Sequence, residues 1–206
     1  MYKYEIELQK QGYENIAGCD EVGRGPMAGP LVCASVVLDP SHKIVGLNDS
    51  KKLTEKKRET LAKEIKKHAK AYHVVFIEHN EIDALNIYKA TQKGLLESIL
   101  GLTIDVDYVL IDAMPLPALS KPHLSIIKGD QKSASIAAAS ILAKVARDNY
   151  MKTIAEKFIG YGFEKNKGYP TKEHKLALEK LGPCEIHRKS YAPVADAIQK
   201  QLQLKL

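Results

Sequence analysis

Residues 133–158, SASIAAASILAKVARDNYMKTIAEKF, have the pattern of one long helix, and its first half is built almost wholly from Ala and Ser. Side chains this small let a helix backbone approach its neighbour closely, so the segment predicts a central helix pressed on a sheet. Five short apolar runs supply the strands: NIAGCD (15–20), LVCASVVL (31–38), AYHVVFIE (71–78), DYVLIDA (107–113) and HLSIIKGD (123–130). The first two flank a Gly/Pro-rich loop and predict an antiparallel pair. Between and after them lie helical patterns. TEKKRETLAKEIKKHAK (54–70) has Thr54 as N-cap and Leu61 and Ile65 on one face, and EIDALNIYKATQKGLLESIL (81–100) reads as one helix. TKEHKLALEKL (171–181) and APVADAIQKQLQ (192–203) follow near the end of the chain. The fold class is therefore α/β: a mixed five-stranded sheet flanked by helices, with a C-terminal helical segment. The expected boundary separates a domain at 1–159 from the helical segment at 160–206.

Four carboxylates fall at comparable places. Asp20, Asp112 and Asp130 each end an apolar run, and Glu21 follows Asp20. In open α/β sheets, strand ends converge on the edge where ligands bind. Neighbours in an ideal strand point to opposite faces, so Asp20 and Glu21 are expected to share a site only if the strand breaks there, as Gly23 and Gly25 would allow. Carboxylates crowded together resist ionisation, and a divalent cation removes that conflict. An open set of hard oxygen ligands suits Mg²⁺ or Mn²⁺, and such ions serve phosphate chemistry.

The loop after these acids, GRGPMAGP (23–30), lacks the GK[ST] ending of a P-loop. Its glycines expose backbone N–H groups, and Arg24 adds a forked cation that suits phosphate. The charge balance agrees: 31 Lys and Arg against 25 Asp and Glu give +6, which favours a polyanionic partner. The three cysteines, Cys19, Cys33 and Cys184, form no CxxC pair, which suits a reducing compartment and argues against a disulfide framework or a zinc site. With no signal-peptide pattern and no apolar run of spanning length, a cytoplasmic location away from membranes is expected.

With these residues assembled, the chain resembles bacterial ribonuclease HII, the type 2 ribonuclease H family. AGCDEVGRGPMAGPLVCASVVL matches its opening signature, and DSKKL (49–53), VLIDA, KGDQKSASIAAASILAKVARD, KGYPTKEH and GPCEIHRKSY follow in the family's order over nearly the whole chain. Ala113 departs from the glycine usual after the aspartate, which matters only if the backbone there needs a positive φ. The resemblance implies a ribonuclease H-like fold and endonucleolytic cleavage of RNA in RNA–DNA hybrids, including a single ribonucleotide embedded in duplex DNA. Carried over, the acidic quartet is Asp20, Glu21, Asp112 and Asp130, holding Mg²⁺ or Mn²⁺ at the scissile phosphate. Gly23, Arg24 and Gly25 form the loop that meets the ribonucleotide, whose 2′-OH distinguishes RNA from DNA. Tyr169 in KGYPT is the junction-sensing tyrosine, packing on a following sugar that lacks a 2′-OH. Ser50 and Lys51 are candidate phosphate contacts, and His187, Arg188 and Lys189 either touch the duplex or close the tail on the core. The expected partners are RNA–DNA hybrid and ribonucleotide-containing duplex, bound by a monomer.

Two other classes compete. A nucleic-acid-binding module without chemistry would suit the charge, but strand-end acids without metal would repel a phosphate backbone. A phosphoryl-transfer enzyme acting on nucleotides would more commonly carry a P-loop. Metal-dependent cutting of a duplex with one ribonucleotide separates all three.

Overall fold

The computed structural model describes residues 1–203. In chain order the elements are α1 (Lys3–Lys10), β1 (Ile16–Val22), β2 (Leu31–Leu38), α2 (Glu55–His68), β3 (Ala69–Ile77), α3 (His79–Leu85), α4 (Ile87–Leu100), β4 (Tyr108–Asp112), β5 (His123–Ile126), α5 (Ala134–Lys157), α6 (Phe163–Asn166), α7 (Lys172–Leu181) and α8 (Ala192–Gln203). Short 3-10 turns lie at Ser50–Lys52 and Gly129–Gln131. The five strands form one sheet in the order β3-β2-β1-β4-β5. β1 pairs antiparallel with β2 and parallel with β4, and β4 pairs parallel with β5, so the sheet is mixed as expected. No described helix is long and apolar enough to cross a membrane.

Two compact units divide the chain. The first comprises Met1–Val22, Val32–Phe76 and Thr91–Ala146. The second comprises 23–31, 77–90 and the chain from Arg147 onward, so it draws in residues well before the boundary expected at 160.

In the first unit, β2 is buried along its whole length. Val32, Ala34 and Val36 pack with Leu61 and Ile65 of α2 and with Ala137, Ala138, Ile141 and Leu142 of α5. The alanines allow the close approach anticipated from the sequence. A Cβ on Gly18 of β1 would stand 2.1 Å from the Ser135 carbonyl carbon and 2.3 Å from the Ile136 nitrogen, so helix and strand touch backbone to backbone. α1, which no sequence signal announced, anchors the start of α5. Buried Glu5 accepts from the Ser133 hydroxyl (2.5 Å) and from the Ser135 N–H (2.9 Å), satisfying donors that a helix N-terminus leaves open.

Thr54 caps α2 as expected, accepting from the Lys57 N–H at 3.3 Å. The single helix expected over 81–100 is two. Asn86 has φ 67°, and its side-chain oxygen accepts from the N–H groups of Tyr88 and Lys89, so it ends α3 and caps α4. The run ending at Asp130 also differs: β5 stops at Ile126, Lys128 has φ 57°, and Asp130 lies in the following 3-10 turn.

In the second unit, Ala28, Met151, Tyr161, Phe163 and Ile186 form one cluster. Met27, Leu178, Val194 and Ala197 form another. Ala28 bridges to His187 in antiparallel fashion, tying the 23–30 loop to the tail of the chain.

Gly18→Ala tests the helix–strand contact. Overpacking costs about 1–3 kcal/mol where side chains can shift, and here the obstacle is backbone, so the variant is expected to lose about 3 kcal/mol or more in urea unfolding.

Candidate active site

In the first unit, the parallel ladder of β1 with β4 ends at Cys19 and Ile111, while β1 continues beside β2 to Val22. Asp20 and Glu21 therefore lie where β1 overhangs β4, and the strand does not break at Glu21. Asp20 is buried and Glu21 half-buried. Asp20 accepts from the Glu21 N–H (2.8 Å) and from the hydroxyl of Ser140 on α5. Burial pushes its carboxyl well above the usual range, and the charges of Glu21 and Asp112 push it further.

Asp112, the last residue of β4, accepts from the Gly129 N–H at 2.6 Å. That bond ties it to the turn carrying Asp130. Burial, then Asp49, then Asp112 raise the Asp130 carboxyl to about 6, with nearby Lys51 opposing. Asp49 is the carboxylate the sequence reading passed over. It is buried, accepts from the Lys51 N–H (2.9 Å) and the Gln131 amide (3.3 Å), and hydrogen-bonds Asp130. Its signal was present: an aspartate opening DSKKL in the position of an N-cap.

Ser50 is 1% exposed, and its hydroxyl pairs with that of Ser140 at 3.0 Å. It thus stands behind Asp20 through Ser140, whereas Lys51 is exposed. All the acids offer hard oxygen, burial and neighbouring carboxylates raise the affinity of Asp20 and of Asp130 for protons, and fixed donors hold Asp20 and Asp112. That donor set fits a divalent cation of the Mg²⁺ or Mn²⁺ kind.

After Asp112 the chain turns sharply. The Met114 N–H bonds back to the Asp112 carbonyl, and Ala113 between them has φ 49°. The positive φ that would make glycine the better residue is therefore present.

In the second unit, two buried arginines hold the 23–30 loop by its carbonyls. Arg188 donates to Gly23 (2.7 Å), Arg24 (3.2 Å) and Gly29 (2.9 and 3.0 Å), and Tyr191 adds a 2.6 Å bond to the Arg24 carbonyl. Arg147 donates to Ala28, Pro30 and Lys167. Burial, with the like charge of Arg188 next, lowers Arg147 to about 10, which leaves it cationic at neutral pH. Gly23 has φ 107°, and a Cβ there would stand 2.4 Å from Arg147 Nε, so only glycine fits. The Tyr169 ring stands 3.8 Å from the place a Gly25 Cβ would take, with the Arg147 guanidinium over it at 5.8 Å. Loop and tyrosine, far apart in sequence, are thus neighbours. Arg24, Gly25 and Tyr169 are exposed. His187 and Arg188 are fully buried, which leaves only Lys189 of that trio at the surface.

Tyr169 is backed by a pair of neutral histidines. Its carbonyl faces His174 Nδ1 at 2.9 Å and can only accept, so that nitrogen carries the hydrogen. His174 Nε2 is then bare and faces His187 Nε2 at 3.2 Å, which must carry its own. His187 Nδ1 in turn accepts from the Cys184 N–H at 3.0 Å. A proton added at His187 Nδ1 would give up the Cys184 N–H bond and find only the Cys184 carbonyl at 3.3 Å.

The family model for Ribonuclease HII matches residues 17–194. Ribonuclease HII of Listeria monocytogenes serotype 4b (strain F2365) is 54% identical over 197 residues, covering 96% of this chain and 75% of the relative. Ribonuclease HII of Bacillus mycoides (strain KBAB4) is 55% identical over 200 residues, covering 97% and 77%. Among solved structures, ribonuclease H2 from Pyrococcus horikoshii OT3 superimposes with a TM-score of 0.78 at 24% identity, covering 91% of this chain and 98% of that one, a likeness of fold.

Two measurements follow from this geometry. Ala113→Gly is expected to stabilise the chain slightly. Relief of a left-handed alanine is worth about 1–2 kcal/mol and the added unfolded-state freedom costs about 0.4–1 kcal/mol, leaving a gain of about 0–1.6 kcal/mol in urea unfolding. The second concerns pH. Burial, then His174, lowers His187 to about 4 from its ordinary 6.5. Between those values the unfolded chain binds more protons, so the contribution of His187 is complete above about 6.5 and is lost as pH falls toward 4. Asp130, raised to about 6, acts with the opposite sign. The stability difference between wild type and His187→Gln isolates the histidine. That difference is expected to shrink by about 2–3 kcal/mol from pH 7 to pH 4.

Proposed function

The chain belongs to the ribonuclease HII family, metal-dependent endonucleases that act on RNA–DNA hybrids, and on that premise we propose that it also cuts duplex DNA at a single embedded ribonucleotide. Family membership decides against a binding module without chemistry and against a nucleotide phosphotransferase. In this reading Asp20, Glu21, Asp112 and Asp130 hold Mg²⁺ or Mn²⁺, with Asp49 supporting Asp130. Two such ions supply an activated water and stabilisation of the leaving oxygen. The protein's part is to fix the carboxylates. The Ser140 hydroxyl and the Glu21 N–H orient Asp20, and the Gly129 N–H orients Asp112. Lys51, exposed beside Asp130, meets phosphate, and Ser50 acts through Ser140.

The observation that carries the ribonucleotide reading is the meeting of Gly25 with the Tyr169 ring. The carbonyls of Gly23 and Arg24 are turned onto Arg188, and the exposed Gly25 is offered to the 2′-OH sugar. Tyr169 packs on the next sugar, where a deoxyribose admits the ring and a second 2′-OH crowds it.

Asp112→Asn is expected to abolish nearly all cleavage of both a continuous hybrid and a single-ribonucleotide duplex while leaving the fold intact. Tyr169→Ala is expected to lose about 1–3 kcal/mol of contact on the single-ribonucleotide substrate. That is roughly tenfold to a hundredfold in kcat/KM, with a smaller loss on continuous RNA. Equal losses on both substrates, with a lowered melting temperature, would make Tyr169 a packing residue.

A further inference from the structure

We infer that His42, Glu64 and His68 form a second metal site, selective for a first-row transition ion of the zinc type. Among the described residues these three bring one ligand atom each to within 4.8 Å of one another. Glu64 and His68 lie one helical turn apart on α2, which places them on one face. His42 comes from the segment after β2. His42 Nε2 is 3.2 Å from Glu64 Oε1, and His68 Nε2 is 3.6 Å from the same oxygen. Ligands bound at about 2.0–2.1 Å in a tetrahedron stand about 3.3 Å apart, so both separations bracket the edge of a zinc-type site. The imidazoles are stacked, with centroids 3.7 Å apart and planes 7° from parallel, and both turn Nε2 to one carboxylate.

The donor set decides the class of ion. Two imidazole nitrogens and one carboxylate suit Zn²⁺, Ni²⁺ or Co²⁺, whereas the all-oxygen cluster of the active site suits Mg²⁺ or Mn²⁺. Three protein ligands leave a position for water or another ligand, and the side chains are 26–45% exposed, so an ion can enter.

The segment that carries His42 is fixed before any ion arrives, and the two parallel imidazoles need only turn out of their stack to bring both in-plane lone pairs to one ion. Asp39 Oδ1 accepts from both the N–H and the hydroxyl of Ser41, and the Asp39 carbonyl accepts from the His42 N–H, which fixes the turn leading into His42. Two residues later Ile44 is buried in the same cluster as Leu61 and Ile65 of α2, and its N–H bonds to the Tyr2 hydroxyl at 2.9 Å. His42 is therefore clamped on both sides against the helix that supplies the other two ligands. The acids are elsewhere on the sheet. Asp20 pairs with Ala34, and β2 runs four residues further to Leu38, about 13 Å, before the segment carrying His42 begins.

Calorimetric titration of the metal-free full chain with Zn²⁺, and the visible absorption of its Co²⁺ form, test the assignment. Wild type is expected to bind Zn²⁺ saturably and to give the intense Co²⁺ bands of a four-coordinate nitrogen–oxygen site. His42→Ala and His68→Ala are expected to weaken that binding by roughly tenfold or more, since even an outer partner of a ligand contributes 10–100-fold. Asp112→Asn is expected to retain it. A thermal melt without metal checks that each histidine variant is folded, and the near-isosteric Glu64→Gln carries the same comparison if one is not. Absence of saturable binding in wild type would overturn the proposal. So would binding indifferent to His42, Glu64 and His68, or binding lost in Asp112→Asn, which would assign the ion to the acidic cluster.

Discussion

The backbone contact between Gly18 of β1 and the start of α5 governs the geometry of the first unit. Side chains two apart on a strand share a face, so Gly18 and Asp20 both look toward the helix. Asp20 lies about 6.6 Å further along the strand, and Ser140 lies about 7.5 Å further along the helix than Ser135. The two advance together, which is why the Ser140 hydroxyl meets the Asp20 carboxyl. Glu21 extends the same strand one residue further, and both acids sit beyond the last pairing with β4. Asp20 and Glu21, the candidate metal-binding carboxylates of β1, are thus held in place by a helix that has almost no side chains in the way.

The two units resolve buried charge in opposite manners. In the second, Arg147 and Arg188 lie within the protein with their donors matched to main-chain oxygens, so the cations are solvated by the chain itself. In the first, the carboxylates are gathered with few donors, and burial first, then mutual repulsion, lifts the affinity of Asp20 and Asp130 for protons. An arrangement that is unfavourable when empty of cations is the one that binds them strongly.

Much of the fold was legible because local chemistry and tertiary packing agree. Thr54 caps a helix in any context, the five apolar runs match five strands, and the Ala/Ser run needed a close neighbour. What escaped notice depended on backbone states that a sequence only permits. Asn86 could have continued a helix but instead takes positive φ and divides it, and Lys128 does the same between β5 and Asp130. The quartet was visible as acids at the ends of apolar runs. Asp49 was visible only as an N-cap and not as a member of the cluster, because its partner Asp130 is 81 positions away and no local period links them. Arg147 and Arg188 look like ordinary basic residues on helical or loop segments, and their burial follows from the carbonyls of the 23–30 loop, which no sequence pattern reports.

That pair of guanidinium groups has a consequence for motion. Segment 23–30 presents carbonyl oxygens inward to two cations, so peeling it away would leave Arg147 with only the Lys167 carbonyl and Arg188 with only the Tyr191 hydroxyl, at a cost of up to about 3–5 kcal/mol for each. Small, loop-sized openings are correspondingly disfavoured. The amide hydrogens of Met27 and Gly29, bonded to the Gly168 and Ile186 carbonyls, should exchange with solvent through the cooperative unfolding of their whole unit rather than through fraying of a glycine-rich surface loop. A stretch whose composition suggests flexibility is, in this chain, among the parts least free to move.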